Sequence, residues 1–166
     1  MKTKYLIQGA MIAAIYFVLT YAIAPFSYLL IQCRISEALS ILPYFTAAAV
    51  PGLFVGCLVA NLIMMFTTGL LPIDVIFGSL ATLAAAYLSY VISRKVPSRA
   101  GRWIAPAPAV IINALVVGWL LSDVYRVGAP YLVCAAYVAI GQIIACYGLG
   151  MPLLFLLDGY KEKLFS

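Results

Sequence analysis

The sequence predicts an all-α integral membrane bundle, and three observations predict it. Hydrophobic residues make up 66% of the chain and charged residues 9%, whereas a soluble domain carries about a quarter charged residues. With a mean hydropathy of +1.12 there is too little polar side chain to cover a water-facing exterior. Charged residues, prolines and glycines also cut the 166-residue chain into apolar runs near the roughly 20 residues that a helix needs to cross a hydrocarbon core of about 30 Å. One membrane domain of six transmembrane helices over residues 1–166 is the expectation.

The first run spans about Tyr5 to Ala24 and stops at Pro25. Met1-Lys2-Thr3-Lys4 before it and Ala22-Ile23-Ala24 at its end imitate a cleaved signal peptide. A retained span is expected instead, because the apolar stretch exceeds the usual 7 to 15 or so residues and Pro25 would follow the cut directly. The second run, about Glu37 to Val50, and the third, about Gly52 to Phe66, are short, as segments packed inside a bundle can be. Val50-Pro51-Gly52 between them reads as a turn. The fourth covers about Ile73 to Ile92, the fifth about Trp103 to Ser122, and the sixth about Tyr131 to Leu157.

Basic residues in short loops stay on the cytoplasmic side. An even six-span layout puts Lys2, Lys4, Arg94, Lys95, Arg99, Arg102, Lys161 and Lys163 on one side and Arg34 and Arg126 on the other. Both termini are therefore expected in the cytoplasm, and the net charge of +5 reflects topology rather than nucleic-acid binding. The cluster from Arg94 to Arg102 reads as a topogenic loop. Small residues line the first helix, with Ala10 and Ala14 four apart and Gly9 and Ala13 on the neighbouring line. Such spacing permits close approach of a helix, either within the bundle or from a partner.

Several chemistries are excluded. Histidine is absent, which removes the commonest general base and metal ligand, and no glycine-rich loop with a Walker lysine is present. Cys33, Cys57, Cys134 and Cys146 lack metal-ligand spacing; three of them fall in apolar spans, where free thiols act as small hydrophobes. No catalytic residues, metal or cofactor are expected.

Ionisable residues in or beside spans are costly and are functional candidates by default. Glu37, Asp74 and Asp123 all fall at outer helix ends, with Gln32, Arg34, Ser36, Thr67, Thr68 and Arg126. An outward polar pocket in an apolar bundle suits a small polar ligand. Ser36 fits an N-cap and Glu37 the first turn; Arg34 either pairs with Glu37 as a staple or orients it while Gln32 and Glu37 hydrogen-bond a ligand. Asp74 opens the fourth span after Pro72, where the helix dipole alone would also favour it. Asn61, Asn113 and Gln142 lie deeper and need partners, whether another helix or a ligand. Tyr5, Tyr28, Tyr90 and Tyr160 read as interfacial anchors; Tyr131 and Tyr137 are candidates to stack on an aromatic ligand.

Three blocks carry a resemblance: Gln32-Cys33-Arg34-Ile35-Ser36-Glu37-Ala38-Leu39, Pro51-Gly52-Leu53-Phe54-Val55-Gly56-Cys57-Leu58-Val59-Ala60-Asn61, and Asp74-Val75-Ile76-Phe77-Gly78-Ser79-Leu80-Ala81-Thr82. In this order they resemble the QueT family of queuosine-precursor transporters, which are substrate-binding S-components of energy-coupling-factor transporters of the prokaryotic cell membrane. The resemblance runs from the first helix to about Pro152. It implies six helices, an outward pocket closed by the loop after the first helix, and docking onto a transmembrane T subunit with two ATPase subunits. Ala10 and Ala14 match the alanine pattern that S-components use for that docking. The implied ligand is a deazaguanine: the precursor base, queuine or queuosine. Glu37 and Asp74 would be the two carboxylates that meet a guanine-like edge and an aminomethyl cation, in either order. An S-component for another vitamin or heterocycle is the alternative, since one fold hosts many ligands.

Overall fold

The structure, a computed structural model, describes residues 2–22 and 34–160. Gln32, Cys33, Pro25, Tyr28, Lys161 and Lys163 lie outside the described residues. Those described fold as helices with no strand among them. These are α1 (Lys2–Ala22), α2 (Ile35–Tyr44), α3 (Ala49–Thr68), α4 (Pro72–Lys95), α5 (Arg99–Ile104), α6 (Ala107–Trp119), α7 (Tyr131–Ile143) and α8 (Gly150–Asp158). A wide π-turn, Leu120–Val124, continues α6, and a second, Ile144–Leu149, joins α7 to α8. Five stretches are long and apolar enough to cross a membrane: Thr3–Ala22, Ala49–Thr68, Pro72–Lys95, Arg99–Val124 and Tyr131–Asp158.

Hydrogen bonds between the elements fix their directions. Thr20, near the end of α1, donates to Ser36 at the start of α2, while Gln8, near the start of α1, accepts from Thr46 just after α2. α2 therefore runs back along α1. Ser89 bonds the Ala105 carbonyl between α5 and α6, Tyr125 beyond α6 bonds Asp74 at the start of α4, and Arg102 pairs with Asp158 at 3.1 Å. Successive passes thus alternate in direction. Lys4, Arg94, Lys95, Arg99 and Arg102 collect at one end, and Arg34, Asp74, Asp123 and Arg126 at the other.

α2 departs most from expectation. The sequence predicts a span from Glu37 to Val50, but ten residues wind as a 3₁₀ helix. That winding rises about 2.0 Å per residue against 1.5 Å for an α-helix, so it stretches a short segment to about 20 Å. Every residue from Ser36 to Pro43 is buried. Leu39, Ile41 and Leu42 join Ile12 and Tyr16 of α1, Leu53 and Cys57 of α3, and Met151 and Leu154 of α8 in the main core cluster. A helix buried on every face needs neighbours all round, and α2 is enclosed by α1, α3, α4, the second π-turn and α8. Ser36 does not cap α2 by its side chain; it accepts the Thr20 hydroxyl instead. The expected turn at Val50-Pro51-Gly52 is also displaced. Those residues form the first turn of α3, where a missing proline N–H costs no hydrogen bond, and the chain reverses just before it.

α1 and α3 meet through glycine. A Cβ on Gly52 would stand 2.8 Å from the Gly9 carbonyl oxygen, and one on Gly56 2.9 Å from that of Ala13. The Gly9/Ala13 line of α1 is thus the internal one. Ala10 and Ala14 lie on the exposed side of the helix, and Ala10 borders a groove of about 190 Å³ between α1 and α3, with Tyr5, Leu6, Pro51 and Val55. The described cysteines, Cys57, Cys134 and Cys146, are buried free thiols, as the sequence predicts.

Candidate ligand-binding site

At the end of the bundle that holds Arg34 and Asp74 a cavity of about 310 Å³ opens between the α3–α4 connection and the end of α6. Arg34, Thr68, Asp74, Val117, Leu120 and Tyr125 are among its walls. A narrower polar compartment shares Arg34, Asp74, Val117 and Leu120 with it and adds Glu37, Asn61, Gly78, Thr82, Asn113 and Gln142. Five of the helical passes contribute. The wider space alone falls in the range of about 300–1,000 Å³ typical of small-molecule pockets.

Glu37 is 3% exposed yet both carboxylate oxygens are satisfied. The Tyr16 hydroxyl donates to Oε1 at 2.6 Å, and the Asn113 amide donates to Oε2 at 3.3 Å. A carboxylate has about four acceptor positions, so two donors leave Glu37 with capacity for a ligand. Its contact to Asn113 also orients that amide, because a carboxylate cannot donate: Nδ2 faces Glu37 and Oδ1 is turned elsewhere. The α2 backbone is held from behind by the Cys146 thiol, 3.5 Å from the Glu37 carbonyl oxygen, and Gly150 of α8 packs against the Ala38 carbonyl, where a Cβ would lie 3.1 Å away.

Asp74 sits in the first turn of α4, after Pro72, as the sequence predicts. Tyr125 donates to its Oδ2 and accepts the Leu71 N–H at 3.1 Å, so one phenol ties the α6 end to the start of α4. The π-turn places that phenol: the Tyr125 N–H bonds the Leu120 carbonyl, five residues back, and the inserted residue turns Tyr125 by about 100° relative to a regular helix. Arg34 borders both compartments and donates to Asn61 Oδ1 at 3.4 Å. Asn61 Nδ2 reaches Cys57 Sγ at 3.4 Å, with Gly78 leaving it room: a Cβ there would lie 3.1 Å from that nitrogen.

Of the residues expected at the site, Arg34, Glu37, Asn61, Asp74, Asn113 and Gln142 converge on these two compartments, and Gln32 lies outside the described residues. Tyr137 is not brought there. It is 42% exposed, beside the stripe of Cys134, Val138, Gly141 and Gln142 that α7 buries. Tyr131 bonds the Leu115 carbonyl and borders neither compartment. Two other tyrosines, Tyr16 and Tyr125, hold the carboxylates instead. Tyr16 had a legible signal, since Ile12, Tyr16 and Thr20 recur every fourth residue away from the Ala10/Ala14 face; Tyr125 had none, being placed by a π-turn. Asp123 and Arg126 are exposed and stay outside the site.

A family model described as QueT transporter matches residues 6–159. No curated protein and no solved structure matches the chain.

Proposed function

Since the chain belongs to the QueT transporter family, and is thus a multi-pass membrane protein, we propose that it is the substrate-binding S-component of an energy-coupling-factor importer in a prokaryotic plasma membrane. Its ligand is a deazaguanine of the queuosine pathway: the precursor base, queuine or queuosine. The observation that carries this reading is the buried Glu37 carboxylate, with Asn113, Gln142 and Asn61 beside it in a narrow polar compartment that shares Arg34, Asp74, Val117 and Leu120 with a ligand-sized cavity. A carboxylate accepts from the ring N–H and exocyclic amine of a guanine-like edge, and amides satisfy its carbonyl. Binding occurs from outside. The whole chain then reorients as partner ATPases hydrolyse ATP, with a T subunit docked on the Ala10/Ala14 face, and no covalent step is asked of this chain. Mass spectrometry of small molecules released on denaturing the purified protein is expected to find a deazaguanine; a different heterocycle, bound stoichiometrically, sinks the assignment.

The proposed orientation has six passes and both termini in the cytoplasm. It follows from the basic end of the bundle, because Lys and Arg in short loops are retained inside. A reporter active only in the cytoplasm, fused after Ser166, is expected to be active in intact cells. An inactive fusion, with the same fusion protein detected in the membrane, reverses the orientation.

A further inference from the structure

Arg94, Lys95, Arg99 and Arg102 stand close together at the basic end of the bundle. Retention of a loop in the cytoplasm asks only for charge, yet this stretch is held to a shape. Pro97 ends α4, because it disfavours the helical conformation at Val96, and Ser98 caps α5 by accepting the Gly101 N–H at 3.4 Å. A Cβ on Gly101 would collide with the Val96 carbonyl oxygen, so the corner closes tightly on itself. Arg102 pairs with Asp158 of α8 at 3.1 Å, and the Trp103 carbonyl accepts the Tyr147 hydroxyl at 2.9 Å. The Trp103 ring meets Phe155 edge-on, with centroids 6.4 Å apart.

Two kinds of surface result side by side. Arg94, Lys95 and Arg99 are exposed, and among the described residues none of them pairs with an acid; Arg94 lies over the Tyr90 ring, 5.2 Å from its centroid. Asp158 is the one acid at this end among the described residues, and Arg102 takes it. Beside the cations, Trp103, Ile104, Phe155 and Leu156 are exposed. The membrane-crossing stretch of α4 ends at Lys95, which puts the corner at the level of lipid headgroups, where tryptophan also collects. We propose that this corner binds an anionic diacyl phospholipid. Arg94, Lys95 and Arg99 meet the charge of the headgroup, and Trp103, Ile104 and Phe155 meet the acyl chains. A zwitterionic lipid offers the same chains, but its ammonium faces cations that nothing on the protein neutralises. The lipid site requires only that the chain crosses the membrane, whichever small molecule the cavity takes.

Native mass spectrometry of the full chain in neutral detergent, with phosphatidylglycerol or phosphatidylcholine of identical acyl chains, tests this. Phosphatidylglycerol is expected to bind about tenfold tighter or more, since each basic residue near an anionic lipid surface contributes on the order of fivefold. Lys95→Gln/Arg99→Gln is expected to erase most of that ratio. Lys4→Gln/Arg126→Gln, which removes the same net charge from exposed positions elsewhere, is expected to keep it. Equal binding of the two lipids to the unaltered chain overturns the site. So does a ratio that survives Lys95→Gln/Arg99→Gln, or one that both double variants lower alike, which reports net charge alone. Inorganic phosphate is expected not to displace the lipid; full displacement makes the occupant a free anion and overturns the lipid. The comparison of the two lipids on the unaltered chain needs no variant to fold.

Discussion

Glu37→Gln is expected to weaken deazaguanine binding by roughly 1.5–3 kcal/mol, the range for hydrogen bonds to a charged group, which is about tenfold or more in affinity. The substitution keeps the shape of the side chain and removes its charge. It also presents an N–H₂ group where the carboxylate now receives Tyr16 and Asn113, so at least one of these donors must turn or lose its acceptor. Both losses fall at a position that is buried, where water does not make up the missing bond. Titration of the variant in detergent, beside a check that it remains helical and monodisperse, measures the effect. Unchanged affinity in a folded Glu37→Gln protein removes Glu37 from the site and, with it, the placement of the pocket.

Ala10→Trp or Ala14→Trp is expected to abolish uptake in cells while leaving ligand affinity of the isolated chain nearly intact. Helices associate in lipid through small residues that let backbones approach, and these two alanines are exposed on α1. The closest contacts of α1 with α3 use Gly52 and Gly56 against Gly9, Ile12, Ala13 and Tyr16; Ala14 lies off that seam, whereas Ala10 borders the groove beside it, so Ala14→Trp is the cleaner of the two variants. The same helix carries Tyr16 on its buried side, bonded to Glu37. The proposed docking face and the tyrosine that holds Glu37 therefore share one element, α1. Transport assays in cells that contain the partner subunits, paired with titration of the purified variant, separate the outcomes. Loss of binding together with uptake assigns the alanines to internal packing, and full uptake in both variants places docking elsewhere.

Much of the bundle was legible because length and hydropathy decide which segments can cross lipid. α3, α4 and the stretches from Arg99 and from Tyr131 lie close to their expected positions. α2 was not, because its 3₁₀ winding reflects the space left among its neighbours rather than any local preference of Ile35–Tyr44, and Pro51 reads as a chain reversal although a helix start accommodates it equally well. The π-turns were hidden for the same reason. At the site, the cost of polar groups in an apolar chain singled out Arg34, Glu37, Asn61, Asp74, Asn113 and Gln142. Partner choice was beyond that argument: the spacing of Ile12, Tyr16 and Thr20 marks Tyr16 as inward, but nothing in the sequence singles out Tyr125 over Tyr131 and Tyr137. Ser36 was misjudged because a hydroxyl next to a helix start fits a cap or a neighbouring helix alike, and Thr20 is the neighbour.

The unequal compartments bear on how ligand preference diversifies over evolutionary time. The narrow one is built from segments locked by packing: α2 enclosed on all sides, Asn113 in mid-helix, and Gln142 one residue after a buried glycine. The wide one is walled largely by residues 68–74 and 117–127, where the chain ends one helix, crosses a connection or passes through a π-turn. Substitutions there alter the volume and charge of the wide cavity without touching the Tyr16–Glu37–Asn113 chain of hydrogen bonds. On the proposed reading, change in ligand preference is expected to concentrate in those two short stretches, with the narrow compartment kept.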